Sequence, residues 1–201
     1  LEKHLQKLDE TATANLNCHI VPPPHYGKQN LLANADFSEG LSKWQKLTDS
    51  EQFISPEIDP LAVPPFAGKA ALCFTGAAEQ RVCFVQNVKI PPGIRNFRLG
   101  GWMKTQAFDN SWQAALRVVC SIRSTDGKVS SKTFTAGSTP YQVANTTWSF
   151  YGIDFQVDGD IVSASLQLQT SHPSGEKAQQ TRPNTGTAWF SGMALEAIMR
   201  Q

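Results

Sequence analysis

The side chains best suited to ligand chemistry are an indole, a guanidinium and several amides on predicted strands. Trp102 lies in the run 96–105, and Arg98, Gly100 and Lys104 share its parity. With little beside it to block a flat ligand, the aromatic face would be open, while amide and guanidinium groups hydrogen-bond hydroxyls. This chemistry suits sugar rings, which present C–H groups to aromatic faces. The predicted ligand-binding residues are Trp102, Arg117, Gln113, Gln167, Trp112 and Gln86.

Packing is the second interpretation of the same tryptophans. Trp102 could lie beneath a loop or a helix, with the guanidinium of Arg117 stacked on its ring. Trp112 stands next to Asp109 and Asn110 and is typical of a loop aromatic. Such a residue either grips a ligand at the rim of a site or seals the loop. The residue pattern favours neither interpretation decisively.

Catalytic signatures are missing from the sequence. It contains no G-x-S-x-G, H-E-x-x-H, P-loop or G-x-G-x-x-G motif. Asp154, Asp158 and Asp160 surround a turn between two predicted strands, which explains them more simply than a general acid/base pair. We therefore predict that the chain is not an enzyme. The histidines lie outside the predicted strands and are His4, His19, His25 and His172.

Period-two alternation predicts the strands that would position these groups. In the run 112–123 one parity is apolar, and in the run 161–170 the inward parity begins at Val162. A polar, Ser/Thr-rich run from 129 to 136 predicts an edge strand, and Asp126-Gly127 predicts the turn before it. About nine strands with short polar turns indicate an all-β, two-sheet jelly-roll β-sandwich. The predicted inward residues of the two runs are Leu116, Val118, Cys120 and Ile122, then Val162, Ala164, Leu166 and Leu168.

The composition of the chain argues against two classes of partner, nucleic acids and membranes. The 201 residues are 40% hydrophobic and 17% charged with a net charge of +1, enough for a full core but too little charge to recruit nucleic acid. No apolar run approaches the length of a membrane span. We therefore predict no nucleic-acid partner and no membrane insertion.

Two of the four cysteines could form a disulfide. Cys73 and Cys83 flank the stretch 76–80, and if that stretch is a hairpin turn they stand nearly opposite each other on one face. Two reduced thiols are the alternative, and the sequence does not decide between them. Cys120 lies on the apolar parity of its strand and fits a small buried hydrophobe.

The first residues have a different character. Leu1, Leu5, Leu8 and Ala12 repeat at helical spacing, and the Pro-rich stretch 21–24 predicts a stiff spacer. We divide the chain into a helical extension with its spacer, residues 1–25, and a sandwich domain, residues 26–201. The short helix would pack on a domain or join an oligomer or a larger polypeptide.

From Asn30 onward the chain resembles a known family. The run Asn30-Leu-Leu-Ala-Asn-Ala-Asp-Phe-Ser-Glu-Gly-Leu-Ser-Lys-Trp44 resembles the "NLLxNGDFExGLxxW" opening of carbohydrate-binding modules of the xylan- and cellulose-binding group. Five more motifs follow in the family's order over roughly residues 30–198. They are Gly68-Lys-Ala-Ala-Leu-Cys-Phe74, Val85-Gln-Asn-Val-Lys-Ile-Pro-Pro-Gly93, the run 97–104, Thr147-Trp-Ser-Phe-Tyr-Gly-Ile-Asp-Phe155 and Thr187-Ala-Trp-Phe-Ser-Gly-Met-Ala-Leu195.

The resemblance implies a galactose-binding-like jelly roll and non-catalytic binding of a poly- or oligosaccharide, outside the cell or in the periplasm or envelope. It implies packing roles for Trp44, Trp148 and Trp189. In that family a calcium ion commonly ties the opening segment to an aspartate of the closing strand. Asp36 and Glu39 would supply the first part, but Ser191 and Gly192 stand where the aspartate would be. We therefore predict no cofactor and no metal.

Two other functions remain open. Similar sandwiches serve as interaction or assembly modules in larger bacterial surface, envelope or exopolysaccharide-associated proteins, and the leucine-spaced N-terminal segment favours this. A third hypothesis is an accessory domain of a glycan-active enzyme whose catalytic part lies elsewhere.

Overall fold

Ten antiparallel β-strands make up the regular structure of the described chain. The computed structural model describes residues 30–47, 57–65, 68–75, 82–107, 113–137, 146–171 and 186–198. The strands are β1 (Gln45–Lys46), β2 (Glu57–Asp59), β3 (Ala71–Thr75), β4 (Val82–Val88), β5 (Asn96–Gln106), β6 (Gln113–Arg123), β7 (Val129–Gly137), β8 (Ser149–Gln156), β9 (Asp160–Ser171) and β10 (Thr187–Ala197). The predicted runs 96–105 and 112–123 correspond closely to β5 and β6.

The strands form two sheets of five. The order β1-β4-β9-β6-β7 makes one sheet, which we call the front sheet, and β2-β3-β10-β5-β8 makes the other, the back sheet. Their inner faces pack on each other, and we call their outer faces the front face and the back face. The prediction of an all-β, two-sheet jelly-roll sandwich is confirmed.

Alternation along the strands builds the core between the sheets. Leu99 and Met103 of β5 face Leu116 and Val118 of β6 in one hydrophobic cluster, and all four are buried. A Cβ at Gly101 would overlap the Met193 side chain, so glycine leaves the space that Met193 fills. Burial of each large aliphatic side chain stabilises the fold by about 1.5–3 kcal/mol.

The inward parity predicted for β9 is correct except at its start. Ala164, Leu166 and Leu168 are buried, whereas Val162 is 51% exposed. The register between β6 and β9 shifts there, so that Ile161 rather than Val162 pairs with the buried Ile122. An extra residue at a β-bulge reverses the side-chain parity on one side of it, and alternation alone does not reveal this.

An aromatic contact joins the two sheets along one side. Phe134 of β7 stacks on Phe155 of β8 with ring centroids 4.1 Å apart. β7 is the last strand of the front sheet, which confirms the predicted edge strand, and most of its side chains are exposed.

A polar loop anchors the opening segment. The Asn34 side chain accepts the Glu39 backbone N–H and donates to the carbonyls of Gly40 and Ser42. The Trp44 indole N–H donates to the Asn34 carbonyl at 3.1 Å, and Trp44 is buried. These contacts explain the tight polar turn followed by an apolar anchor, and they confirm packing for Trp44.

The predicted extension, residues 1–25, lies outside the described residues and stays a prediction. In the described ranges no helix is long and apolar enough to cross a bilayer.

Candidate functional site

A row of side chains crosses the whole front face. Cross-strand pairing places Gln45, Val85, Gln167, Arg117 and Thr135 side by side on β1, β4, β9, β6 and β7. Val85, Gln167, Arg117 and Thr135 point outward because their chain neighbours face the core, and Gln45 pairs with Val85 at the end of the same row. Five strands spaced about 4.8 Å apart give a row roughly 19 Å long. We call this the Arg117 row.

The Arg117 row is polar and partly exposed. Arg117, Gln167 and Val85 are half-buried, while the end residues Gln45 and Thr135 are exposed. The row presents two amides, a guanidinium and a hydroxyl around one small apolar side chain. It can therefore donate and accept several hydrogen bonds over a flat surface.

Rows on either side carry small or neutral side chains. On one side stand Cys83, Gln169 and Ala115, each 0% exposed although on the outward parity. On the other side Ser165 and Val119 are half-buried, next to the exposed Asn87 and Thr133. The exposure of the outward-facing side chains therefore increases from the row of Cys83, through the Arg117 row, to the row of Asn87.

The structure separates Trp102 from the polar residues predicted to act with it. Trp102 belongs to β5 and points outward on the back face, between Ser191 and Phe150 of the flanking strands. Arg117 and Gln167 point outward on the front face, across the full thickness of the sandwich. The predicted common site of these three side chains is therefore wrong, as is stacking of Arg117 on Trp102. β5 and β6 follow each other in sequence but belong to different sheets.

Trp102 is also covered. Its non-core parity is confirmed, but the residue is only 8% exposed. Phe150 fills the space that Gly100 leaves above the strand, because a Cβ at Gly100 would overlap the phenyl ring. The same ring meets Trp102 edge-on at a centroid distance of 5.7 Å. Gly100 was expected to leave the aromatic face of Trp102 open to a ligand. Instead, it makes room for the Phe150 ring.

Ion pairs and hydrogen bonds hold much of the rest of the back face. The Trp189 indole donates to Asp59 at 3.1 Å, and the Lys104 ammonium lies 4.8 Å from the Trp189 ring centroid. Burial opposes ionisation of Asp59, yet hydrogen bonds from the Leu61 backbone and from Trp189 outweigh it and lower the pKa of this carboxyl. This confirms a packing role for Trp189.

A bidentate ion pair lies further along the back face. The Arg98 guanidinium donates to both oxygens of Asp154, at 2.8 and 3.0 Å. Those hydrogen bonds raise the pKa of Arg98. The back face thus combines buried aromatic side chains with a paired arginine and aspartate.

Gln86 lies inside the sandwich rather than on a ligand surface. It is 4% exposed and shares the inward parity of Phe84 and Val88. Its amide accepts the Ala33 N–H and donates to the Ala33 carbonyl, both at 2.8 Å. Both hydrogen-bonding ends are engaged with the opening segment, so the predicted sugar contact is wrong.

Two predicted ligand residues stay untested. Gln113 is the first residue of β6 and pairs with Ser171 through its backbone, but its side chain lies outside the described set. Trp112 lies outside the described residues altogether. Both remain predictions.

Of the two alternatives left open for Cys73 and Cys83, the structure has the one without a disulfide. Cys73 belongs to β3 in the back sheet and Cys83 to β4 in the front sheet, and both point outward. A disulfide needs Cα atoms within about 7 Å, which two opposite outer faces cannot provide. β3 and β4 do not pair with each other, and residues 76–81 between them lie outside the described residues.

Asp36 and Glu39 occupy the positions that would supply the first part of the family's calcium site. Asp36 accepts the Ser38 hydroxyl at 2.8 Å and the Ser38 backbone N–H at 3.1 Å. Burial opposes ionisation of Asp36, but these hydrogen bonds and the nearby Lys69 lower its pKa. Among the residues described, no group of three acidic, histidine or cysteine side chains could hold a metal ion.

Where the family's aspartate would stand, the closing strand makes a backbone contact. The Ser191 hydroxyl donates to the Ala70 carbonyl at 2.6 Å, and Gly192 adopts a positive φ of 57° in the bulge of β10. Ser191 and Gly192 therefore offer no carboxylate to the loop that holds Asp36 and Glu39.

The acidic residues near the turn 157–159 have different basic partners. Asp154 pairs with Arg98, Asp158 lies 4.0 Å from Lys132, and Asp160 lies 3.7 Å from Arg95. The Val157 N–H donates to the Arg95 carbonyl, which fixes this turn between β8 and β9. Because each carboxylate has its own basic partner, these contacts do not arrange two of them as a general acid/base pair.

Comparison with known proteins identifies the fold. No protein-family model matches the chain, and neither does any curated protein. Among solved structures, the enzymatically active domain of tailspike protein 4 from bacteriophage CBA120 superposes with a TM-score of 0.60 at 14% identity, over 84% of this chain and 21% of that one.

Two carbohydrate-binding modules match over nearly their full length. The second family 16 module superposes with a TM-score of 0.54 at 13% identity, over 83% of this chain and 99% of the module. A family 22 xylan-binding domain from Paenibacillus barcinonensis superposes with a TM-score of 0.53 at 13% identity, over 82% and 98%. The chain therefore shares the β-sandwich fold of carbohydrate-binding modules, whereas it spans only about a fifth of the tailspike chain.

Proposed function

We propose that this chain binds a poly- or oligosaccharide on its front face and performs no chemistry on it. The observation that carries the proposal is the Arg117 row, a partly exposed polar strip across five strands. The neighbours in fold that match over their whole length bear the names of carbohydrate-binding modules. These neighbours support the proposal through their shared fold only. The chemical argument comes from the polar residues of the Arg117 row.

The physical argument concerns how sugars are held. A saccharide presents many hydroxyls that lose water on binding, so each needs a replacement donor or acceptor. Gln167 and Arg117 lie side by side at the centre of the row, and Thr135 and Gln45 continue it to both edges. The row can thus follow a chain of several linked rings across the strands.

Aromatic stacking does not come from the described part of the front face. Its rows contain Val85 and Val119 but no outward-facing aromatic residue within the described ranges. Trp112 directly precedes β6 in sequence, and we assign it the stacking role as a prediction. Trp112→Ala should therefore weaken saccharide binding, while Trp102→Ala should not act on binding directly.

Titration with a panel of soluble polysaccharides tests the function. The double variant Arg117→Ala/Gln167→Ala should raise the Kd about tenfold or more, because charge-assisted and neutral hydrogen bonds are lost together. Gln156→Ala is the matched control, since this exposed glutamine lies on β8 of the back sheet. Failure of the wild type to bind any polysaccharide, or equal loss in the control, would contradict the proposal.

An assembly role is the second candidate. Its supporting observation is that the fold occurs as about a fifth of the tailspike chain, so such sandwiches form parts of larger proteins. Mass measurement over a range of concentrations, with and without residues 1–25, separates this role from saccharide binding. We place the protein outside the cell or in the envelope as part of the same proposal, and cell fractionation tests that placement.

A further inference from the structure

The two sheets of the sandwich each have one short edge strand and one long edge strand. The short ones are β1 and β2, with two and three residues. The long ones are β7 and β8, with nine and eight residues. Phe134 of β7 stacks on Phe155 of β8, so the two long edges lie together on one side of the sandwich.

β7 is the more accessible of the two long edges. Most of its side chains are exposed, whereas those of β8 are half-buried at six of the eight positions. Among the strands of the described chain β7 pairs with β6 alone, and this register runs over nine residue pairs without a shift. The backbone N–H and C=O of alternate residues in such a strand point away from its partner. The far side of β7 therefore presents donors and acceptors to a further strand.

The features that usually prevent a sheet edge from pairing with another chain are weak in β7. Natural edge strands are short, bulged, interrupted by proline or rich in charge. Residues 129–137 contain no proline, no bulge interrupts their pairing with β6, and Lys132 is the one charged residue among them. The Lys132 ammonium lies 4.0 Å from an Asp158 carboxylate oxygen, which offsets its charge. β7 is thus suited to accept another extended strand.

A second copy of β7 is a complementary partner for this edge. If two such strands run antiparallel with Thr133 opposite Thr133, all nine residues of each strand are paired. Roughly eight to ten backbone hydrogen bonds can then form between them. Lys132 stands opposite Phe134, where its ammonium can lie over the ring, and no two like charges are directly opposite. The other opposite pairs combine small side chains: Val129 with Gly137, Ser130 with Ala136 and Ser131 with Thr135.

We propose that two copies of this chain associate edge to edge through β7, about a twofold axis at Thr133. Their front sheets then join into one sheet of ten strands. Opposite residues of an antiparallel pair share a face, so both front faces lie on the same side of the joined sheet. The contact uses backbone groups at the edge and leaves the outward side chains of both Arg117 rows on that side. This inference does not depend on saccharide binding.

Sedimentation velocity of the full chain tests the association. From micromolar to millimolar concentration, the mass should rise from 22.0 kDa toward twice that value. Thr133→Glu sets two carboxylates opposite each other only in the paired state, and should raise the dimer Kd at least about tenfold. Thr133→Lys should have the same effect. An equimolar mixture of the two variants should restore pairing, because opposite charges then meet at the axis.

Asn87→Glu is the matched control. It adds the same charge to an exposed residue in the row of Thr133, but on β4 and away from the β7 edge. Its dimer Kd should equal that of the wild type. Hydrogen exchange locates the contact, since alternate backbone amides of residues 129–137 should exchange more slowly at high than at low concentration.

Several results would overturn the association. A chain that stays monomeric up to millimolar concentration excludes it. A dimer that persists in Thr133→Glu, or a mixture of the two variants that does not pair, places the contact elsewhere. Protection of the β7 amides already at low concentration shows that another part of the same chain covers the edge, which also contradicts the proposal. Each of these results leaves the polysaccharide titration unaffected, so the two proposals fail separately.

Discussion

The two outer faces of the sandwich have similar architecture and opposite character. On the back face Phe150 meets Trp102 edge-on, and the Trp189 indole donates to Asp59 while the Lys104 ammonium lies over the Trp189 ring. On the front face neutral polar side chains and Arg117 stand in parallel rows with partial exposure. Buried aromatic side chains stabilise the domain, whereas a partly exposed row of polar side chains suits a hydroxyl-rich ligand. The residue type most associated with sugar stacking therefore lies on the less suitable face.

The largest expected effect is on the back face. Trp102→Ala should lower the free energy of unfolding by about 3–5 kcal/mol, because it removes a buried indole and its edge-on contact with Phe150. Saccharide affinity of the folded fraction should stay unchanged. Urea unfolding and titration of the same preparation measure both quantities. Loss of binding with unaltered stability would contradict the distinction between the faces and return Trp102 to the ligand site.

Gln86 tests whether an amide of the front sheet acts inward. Gln86→Ala removes a buried amide and leaves the N–H and carbonyl of Ala33 without these partners, which should cost about 1–3 kcal/mol of stability. The adjacent Asn87→Ala is the matched control, because Asn87 is exposed and should change stability by less than about 0.5 kcal/mol. Denaturant midpoints compare the pair. A stable Gln86→Ala variant with impaired binding would instead support the original sugar-contact prediction.

Low pH should remove the stabilising contribution that the Asp59 carboxylate makes on the back face. The folded-state pKa of Asp59 is lowered, so its contribution to stability is present at neutral pH and is lost as pH falls through that pKa. Asp59→Ala should be less stable than wild type by about 1–2 kcal/mol at pH 7, and the gap should narrow below about pH 4. Urea unfolding at pH 7 and pH 3 measures this gap. Asp158→Ala, at an exposed ion pair, is the control. If the stability gap between Asp59→Ala and wild type were equal at both pH values, the role of the Asp59 carboxylate would be contradicted.

The smallest stability effect is expected at the end of the Arg117 row. Thr135→Ala should change the free energy of unfolding by less than about 0.5 kcal/mol, since the residue is exposed on the edge strand β7. Its saccharide Kd should rise a few-fold, about the value of one neutral hydrogen bond. Isothermal titration checks the affinity. Unchanged binding would restrict the ligand to the centre of the row, while the neighbouring Thr133→Ala shows whether the effect belongs to this row.

The alternation of apolar and polar residues along the sequence was sufficient to predict most of the strands. The apolar parity of β6 and the edge character of β7 were both predicted from the residues, because side chains on a strand alternate between core and surface. Val162 was wrong because a bulge changes parity without a clear local signal. Val85 and Thr135 were missed as site residues, since the register that places them beside Arg117 joins strands far apart in sequence.

What the sequence determined by itself was which residues face inward and which face outward on each strand, and hence a two-layered β-structure. The resemblance to the family also implied packing roles for Trp44 and Trp189. The tertiary structure alone decided which outward faces coincide. Trp102 and Arg117 both point away from the core, yet consecutive strands enter different sheets and place them on opposite sides. Parity is a local property of the backbone, whereas the meeting of two side chains depends on strand order and register, which distant hydrogen bonds and core packing set together.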